Sequence, residues 1–223
     1  MCGVDARYND NGEKLVNKMD IFKGLIKALT PFLKQMGFNK KGNNFYLETN
    51  KNYGVINLQK SRDCTKEVIK FTINFGVYSN ILGQALDYAY NNLTKPDIWQ
   101  CQWQSRVGSF MAGKPDYWWN VNALDNFNII LFSVMEAIQN IVVPELNKRL
   151  DDEGLIINWM NGTYGGGTTE ISRFEYLTTL LKEKRDFNTL NQVVKTFMQQ
   201  SKGKPNASRA IEHLKEIGVQ LMQ

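Results

Sequence analysis

A single histidine, His213, occurs in the 223 residues of this chain. Any serine or cysteine nucleophile that relies on histidine, and any histidine-rich metal site, would have to use it. It stands between Ile211 and Leu214 in a C-terminal helical stretch, with no cysteine or second histidine nearby, and reads as an exposed or half-exposed helix residue. Cysteine is also scarce: Cys2, Cys64 and Cys101 are far apart and odd in number. That excludes a disulfide framework and metal-ligand spacing, and points to reduced thiols in a cytoplasm. No apolar run approaches the eighteen or so residues of a membrane span, so no membrane partner is expected. Met1 to Lys14 is polar and lacks the apolar segment of a signal peptide. Acidic clusters are limited to Asp151-Asp152-Glu153, which precedes Gly154 and reads as a helix end.

What is present is ordinary globular composition: 43% apolar and 22% charged residues. The net charge of +5 lies in the first half, mostly as lysine along one helix and its hairpin (Lys14, Lys18, Lys23, Lys27, Lys34, Lys40, Lys41). A nucleic-acid footprint would be denser and richer in arginine, so a solvated face is the simpler reading and nucleic acid an unfavoured partner.

Apolar residues at spacings of three and four (Leu15, Met19, Phe22, Ile26, Leu29, Leu33, Met36) predict a first long helix. Pro31 inside it predicts a kink, or a restart capped by Thr30, and Gly37 a stop. Short strands follow around Phe45–Leu47 and Val55–Lys60. In the clearest strand Ile69, Phe71, Ile73, Phe75 and Val77 share one face, with Lys70, Thr72, Asn74 and Gly76 on the other. A further strand alternates Trp99, Cys101, Trp103 and Val107 against Gln100, Gln102, Gln104 and Arg106. Between the two, Ile81–Leu93 reads as helix. A second long helix carries Leu124, Phe127, Leu131, Val134, Ile138 and Ile141 and ends or kinks at Pro144. Residues 151–170 read as turns, and helices are expected from Ser172, over Asn188–Gln200 and from Pro205.

Three features carry functional weight. The run Gly162-Thr163-Tyr164-Gly165-Gly166-Gly167 has phosphate-loop character but no following lysine and no preceding strand fingerprint, so it reads as a plain loop. The polar sheet face, by contrast, is rich in amides: Asn57, Gln59, Thr72, Asn74, Gln100, Gln102, Gln104 and Arg106 alternate onto it, with Lys60 and Arg62 close in sequence. Amides both donate and accept, which suits a polar ligand or partner. The opposing account has the C-terminal helices, or water, covering that face. Trp118 and Trp119 are adjacent and cannot both point inward, so one of them is free to line a groove.

Several of these segments together resemble a bacterial family of unknown function, DUF4304. They are Leu33-Lys34-Gln35-Met36-Gly37-Phe38-Asn39-Lys40-Lys41-Gly42-Asn43-Asn44-Phe45, Ile56-Asn57-Leu58-Gln59-Lys60-Ser61, Phe71 to Val77, Cys101 to Gly108, and Asp116-Tyr117-Trp118-Trp119. The resemblance spans roughly residues 20–150 and supplies no activity. Gln102 stands where the family resemblance would place a histidine, which argues against a catalytic histidine there.

The expected architecture is α+β: an antiparallel sheet of about four to five strands packed on two long helices. Residues 1–14 form a flexible N-terminus, 15–160 the α+β domain, and 170–223 a helical extension packed on it. The expected function is non-enzymatic binding, with an unknown protein or polar small molecule held by Arg106, Gln102, Gln104, Asn74, Gln59, Lys60 and Trp118. No catalytic residue, metal or cofactor is assigned. The rival readings are an enzyme or ligand-binding protein for a phosphorylated or nucleotide-like molecule, using Arg106, Lys60 and the glycine run, and a nucleic-acid binder.

Overall fold

A computed structural model describes residues 18–49, 52–65, 68–86, 95–113, 116–122, 125–162 and 168–219. The first helix, α1 (Lys18–Gln35), buries Phe22, Ile26, Leu29 and Leu33 of the predicted stripe and, beside them, Leu25; Leu15 lies outside the described residues. It does not restart at Pro31. The helix continues through the proline, and the Thr30 hydroxyl, expected as a cap, instead donates to the Ile26 carbonyl at 2.7 Å. Its end is set by Gly37, whose φ of +88° only glycine adopts easily. The Gly37 and Phe38 amides donate to the Lys34 and Leu33 carbonyls, a Schellman closure that turns buried Phe38 back onto the core.

The sheet is antiparallel throughout. Strands β1 (Asn39–Lys41), β2 (Asn44–Glu48), β3 (Asn52–Lys60) and β4 (Val68–Ser79) follow as a meander. The far edge of β4 is shared: β5 (Trp103–Arg106) pairs with residues 74–77 and β6 (Trp119–Asn122) with residues 68–71. Alternation along β4 holds, so Ile69, Phe71, Ile73, Phe75 and Val77 face the core. Phe71 stacks on Trp119 with ring centroids 5.4 Å apart and meets Phe22 edge-on at 5.8 Å, which fastens α1 to the sheet.

The predicted strand at 99–107 is shorter than its sequence pattern. Ile98–Gln100 form one turn of 3-10 helix, so Trp99 is 61% exposed and off the apolar face. Cys101 turns to the opposite side of the sheet, where it packs with Tyr46 and Val55.

After Ser79, α2 (Asn80–Ala85) is short, and the rest of the predicted 81–93 helix lies outside the described residues. The second long helix is α3 (Phe127–Ala137), an i→i+5 turn over Ile138–Val142, and α4 (Val143–Asn147). It does not end at Pro144. The wide turn, with the Val143 amide on the Ile138 carbonyl, lies just before the proline that has no N–H to offer. Leu124, the first residue of the predicted stripe, lies outside the described residues. Within Phe127–Asn147 an eighteen-residue window of this helix has a mean hydropathy of 1.6, long and apolar enough by composition to cross a membrane, contrary to the expectation that no stretch approached that length. One side of it, Val134, Ala137, Ile138, Val142 and Leu146, is packed into the core, while Ile129 and Phe132 are exposed.

Residues 151–170 are also not all turn. Asp151 caps α5 (Asp152–Met160) by accepting from the Gly154 amide, so the acidic cluster starts a helix, where its charge suits the positive end of the helix dipole. Then come α6 (Glu170–Glu183), capped by Thr169 rather than Ser172, α7 (Phe187–Gln200) and α8 (Pro205–Glu216). Leu155, Trp159, Phe174, Leu181, Phe197 and Leu214 belong to the same buried cluster as the sheet. The result is an α+β fold with one continuous principal core.

Candidate functional site

The face of the sheet turned away from α1 has two zones. At the end nearer the β2–β3 turn, Tyr46, Val55 and Cys101 are buried together, with Tyr53, Tyr78 and Ile98 packed around them. Burial pushes the Cys101 thiol far above its ordinary range and raises Tyr46, so neither is poised for chemistry near neutral pH.

Toward the other end the face is polar. Registration places Asn44 opposite Asn57, Asn57 opposite Asn74, and Asn74 opposite Arg106, one residue from each of four neighbouring strands. Their hydrogen bonds all run one way. Arg106 Nε donates to Asn74 Oδ1 at 3.2 Å, Asn74 Nδ2 to Asn57 Oδ1 at 3.5 Å, and Asn57 Nδ2 to Asn44 Oδ1. Asn44 Nδ2 then donates to the Tyr46 hydroxyl at 3.0 Å and to Asp97 Oδ1 at 3.4 Å. Gln59 joins from the side, its Oε1 accepting from Asn74 at 2.6 Å. The row starts at a donor-only guanidinium and finishes at an acceptor-only carboxylate.

Arg106 also pairs with Asp116, and its side chain remains one-third exposed. Its guanidinium carbon lies 5.0 Å from the centre of the Trp118 ring, and Lys70 Nζ lies 5.3 Å from the same ring. A hydrogen bond from the Trp118 side chain, then one from Arg106, holds the exposed Asp116 carboxyl below its usual range. The Thr72 hydroxyl ties the Tyr117 carbonyl to β4 at 2.8 Å and so fixes the segment that carries Trp118.

The structure thus brings together Arg106, Gln104, Asn74, Gln59 and Trp118. Trp118 is half-buried on this face while Trp119 is buried in the core, as adjacency requires. Two of the seven expected residues lie elsewhere. Lys60 registers opposite Phe71 on the helix side, its ammonium 5.9 Å from the Phe22 ring, because it follows Gln59 by one residue and so points the other way. Gln102 precedes β5 and is buried, its Oε1 accepting from the Ser79 amide at 2.8 Å. The glycine run 163–167 lies outside the described residues. Asn44, Asp97 and Asp116 were not anticipated, and Lys70, although alternation puts it on this face with Thr72 and Asn74, was not among the expected binding residues. Asp97 and Asp116 reach the face from loops that carry no periodic signal.

Other ionisable groups serve the fold. Buried Asp152 accepts from Ser79 Oγ at 2.7 Å and Asn52 Nδ2 at 3.1 Å, which clamps α5 to the ends of β3 and β4. His213 is not exposed: it is 1% accessible and within 3.0 Å of the Thr178 hydroxyl. Among the described residues no group of three or more His, Cys, Asp or Glu converges as a metal site.

A family model described as a domain of unknown function, DUF4304, matches residues 29–148, and the chain belongs to that family. No curated protein and no solved structure matches the chain.

Proposed function

We propose that this DUF4304 member is a non-enzymatic binding domain that recognises a protein partner through the polar half of its sheet, around Arg106 and Trp118. The observation that carries this reading is the one-third-exposed guanidinium, held over Trp118 by Asn74 and Asp116 and flanked by Lys70. A planar fork fixed on one side still has donors for a partner carboxylate or backbone carbonyl. Exposed Gln59, bonded to Asn74, and exposed Asn120, opposite Lys70, can read neutral polar groups. Holding these groups in place before binding lowers the ordering cost of association. The rival enzyme reading loses its convergent cations, because Lys60 and Arg106 lie on opposite faces. Free thiols at Cys64 and Cys101 suit a reducing, cytoplasmic setting.

The test is photo-crosslinking in the native host, with a crosslinking amino acid at Gln59 or Asn120. Wild type should capture a defined protein. Arg106→Ala should reduce that capture at least about tenfold, the effect of losing roughly 1.4 kcal/mol. A control change at the distant exposed Lys195 should leave capture unchanged. Equal capture by the Arg106 variant, with its thermal unfolding unaltered, refutes the reading.

A further inference from the structure

A second surface lies on the opposite side of the sheet. Between Ile21 and Leu47 the sequence carries five lysines and no Asp or Glu. The fold gathers four of them, Lys23, Lys27, Lys34 and Lys40, around one open groove of about 650 Å³ between α1 and the β1–β2 hairpin. Ile26, Thr30 and Pro31 also line it. The lysines at 23, 27 and 34 are four and seven residues apart, so α1 presents them on one face. Lys40 comes from the hairpin, where it registers with Phe45 and hence on the side facing α1. All four are exposed, and among the described residues none has an ion pair or hydrogen bond.

We infer that this groove docks an acidic polypeptide segment in extended form. Four like charges around one concavity repel one another, and that repulsion is relieved only when anions lie among them. The lining selects among polyanions. It contains no aromatic ring on which an unstacked base could lie, which disfavours single-stranded nucleic acid. It contains no arginine fork for bidentate phosphate recognition. A groove of about 650 Å³ has room for a few residues of an extended chain. Lysine ammoniums are flexible point charges that can follow carboxylates at varied spacing, and exposed Pro31 offers apolar contact to side chains between them. This surface is separate from the Arg106 face, and either can fail without the other.

The experiment uses the full chain and a fluorescein-labelled peptide of alternating glutamate and valine, read by fluorescence anisotropy. Wild type should bind, with affinity falling as salt rises. The double variant Lys27→Glu/Lys34→Glu should lose at least tenfold in affinity. The control Lys195→Glu/Lys202→Glu alters net charge equally at exposed sites outside the groove and should bind as wild type does, as should Arg106→Ala. If the reversal variant unfolds, Lys23→Gln/Lys40→Gln replaces it, with a loss of at least threefold expected. No binding by wild type, or equal weakening by groove and control variants, overturns the proposal. Labelled oligothymidylate binding more tightly than the peptide also overturns it and assigns the groove to nucleic acid.

Discussion

Lowering the pH toward 4.5 should destabilise this protein through one residue, His213. The Thr178 hydroxyl donates to the Phe174 carbonyl at 2.7 Å, which leaves its oxygen to accept from a protonated His213 Nε2 at 3.0 Å, a contact open to the neutral and the charged ring alike. The Phe174 ring packs edge-on against it. Burial lowers the imidazole from 6.5 to about 4, with Arg209 adding to the effect and Glu216 and the Glu175 backbone opposing it. Between those two values the unfolded chain takes up a proton that the folded chain refuses. Stability is therefore full above pH 6.5 and falls as pH drops from 6.5 toward 4. At about 1.36 kcal/mol per pKa unit the ceiling is about 3.4 kcal/mol. Relaxation of the folded chain around a charged ring offsets part of this, so the expected loss by about pH 4.5 is about 2 kcal/mol. Urea unfolding at a series of pH values measures it directly. His213→Gln keeps a donor toward Thr178 but cannot titrate, so its stability should stay nearly flat over this range. Parallel pH profiles for wild type and His213→Gln would refute the argument.

Gly76→Ala places a Cβ 2.6 Å from the Trp103 carbonyl and 2.9 Å from Cys101 Cβ. It should cost about 1–3 kcal/mol by overpacking, and amide exchange should quicken along β5. Removing the clamp at the sheet end with Asp152→Ala leaves the Ser79 and Asn52 donors unpaired and should cost about 2–4 kcal/mol, seen as a lowered denaturation midpoint. Phe71→Ala should cost about 3–5 kcal/mol, since its ring is 1% exposed between Phe22 and Trp119. A loss under about 1 kcal/mol in chemical denaturation would contradict that packing.

Much of this was legible in the residues. Period-two alternation placed Phe71 and Asn74 on opposite faces, because a strand buried on one side leaves no other register for its apolar set. The Trp118–Trp119 division followed from adjacency alone. Lys60 was misplaced by proximity in sequence, although its parity with Leu58 already assigned it to the core side. Gln102 was misplaced because alternation was extended through residues that are not strand: the 3-10 turn at Ile98–Gln100 resets side-chain direction before Trp103. Asp151 to Glu153 were read as a helix end because of Gly154, yet a capping aspartate followed by acids is a start signal. That glycine is there for space, since a Cβ would lie 2.2 Å from the Lys148 carbonyl. The burial of His213 depends on α6 reaching it from 35 residues away, which local pattern does not encode.

The one-way row of amides has a consequence for how its ends relate. A carboxamide can be turned end for end at almost no cost in shape, so an isolated asparagine has two nearly equivalent settings. Here Arg106 can only donate and Asp97 can only accept, so the three asparagines between them have a single mutually consistent setting, and their dipoles add. The row crosses three inter-strand gaps, roughly 14 Å at about 4.8 Å each. Either end alone is enough to impose that setting: with Asp97 drawn away, the Arg106 donor still faces Asn74 Oδ1 and orients Asn57 and Asn44 in turn, while Asn44 keeps the Tyr46 hydroxyl as acceptor. The guanidinium therefore meets the same carboxamide oxygen whether or not the far end is engaged, and the polar face is set before anything binds to it.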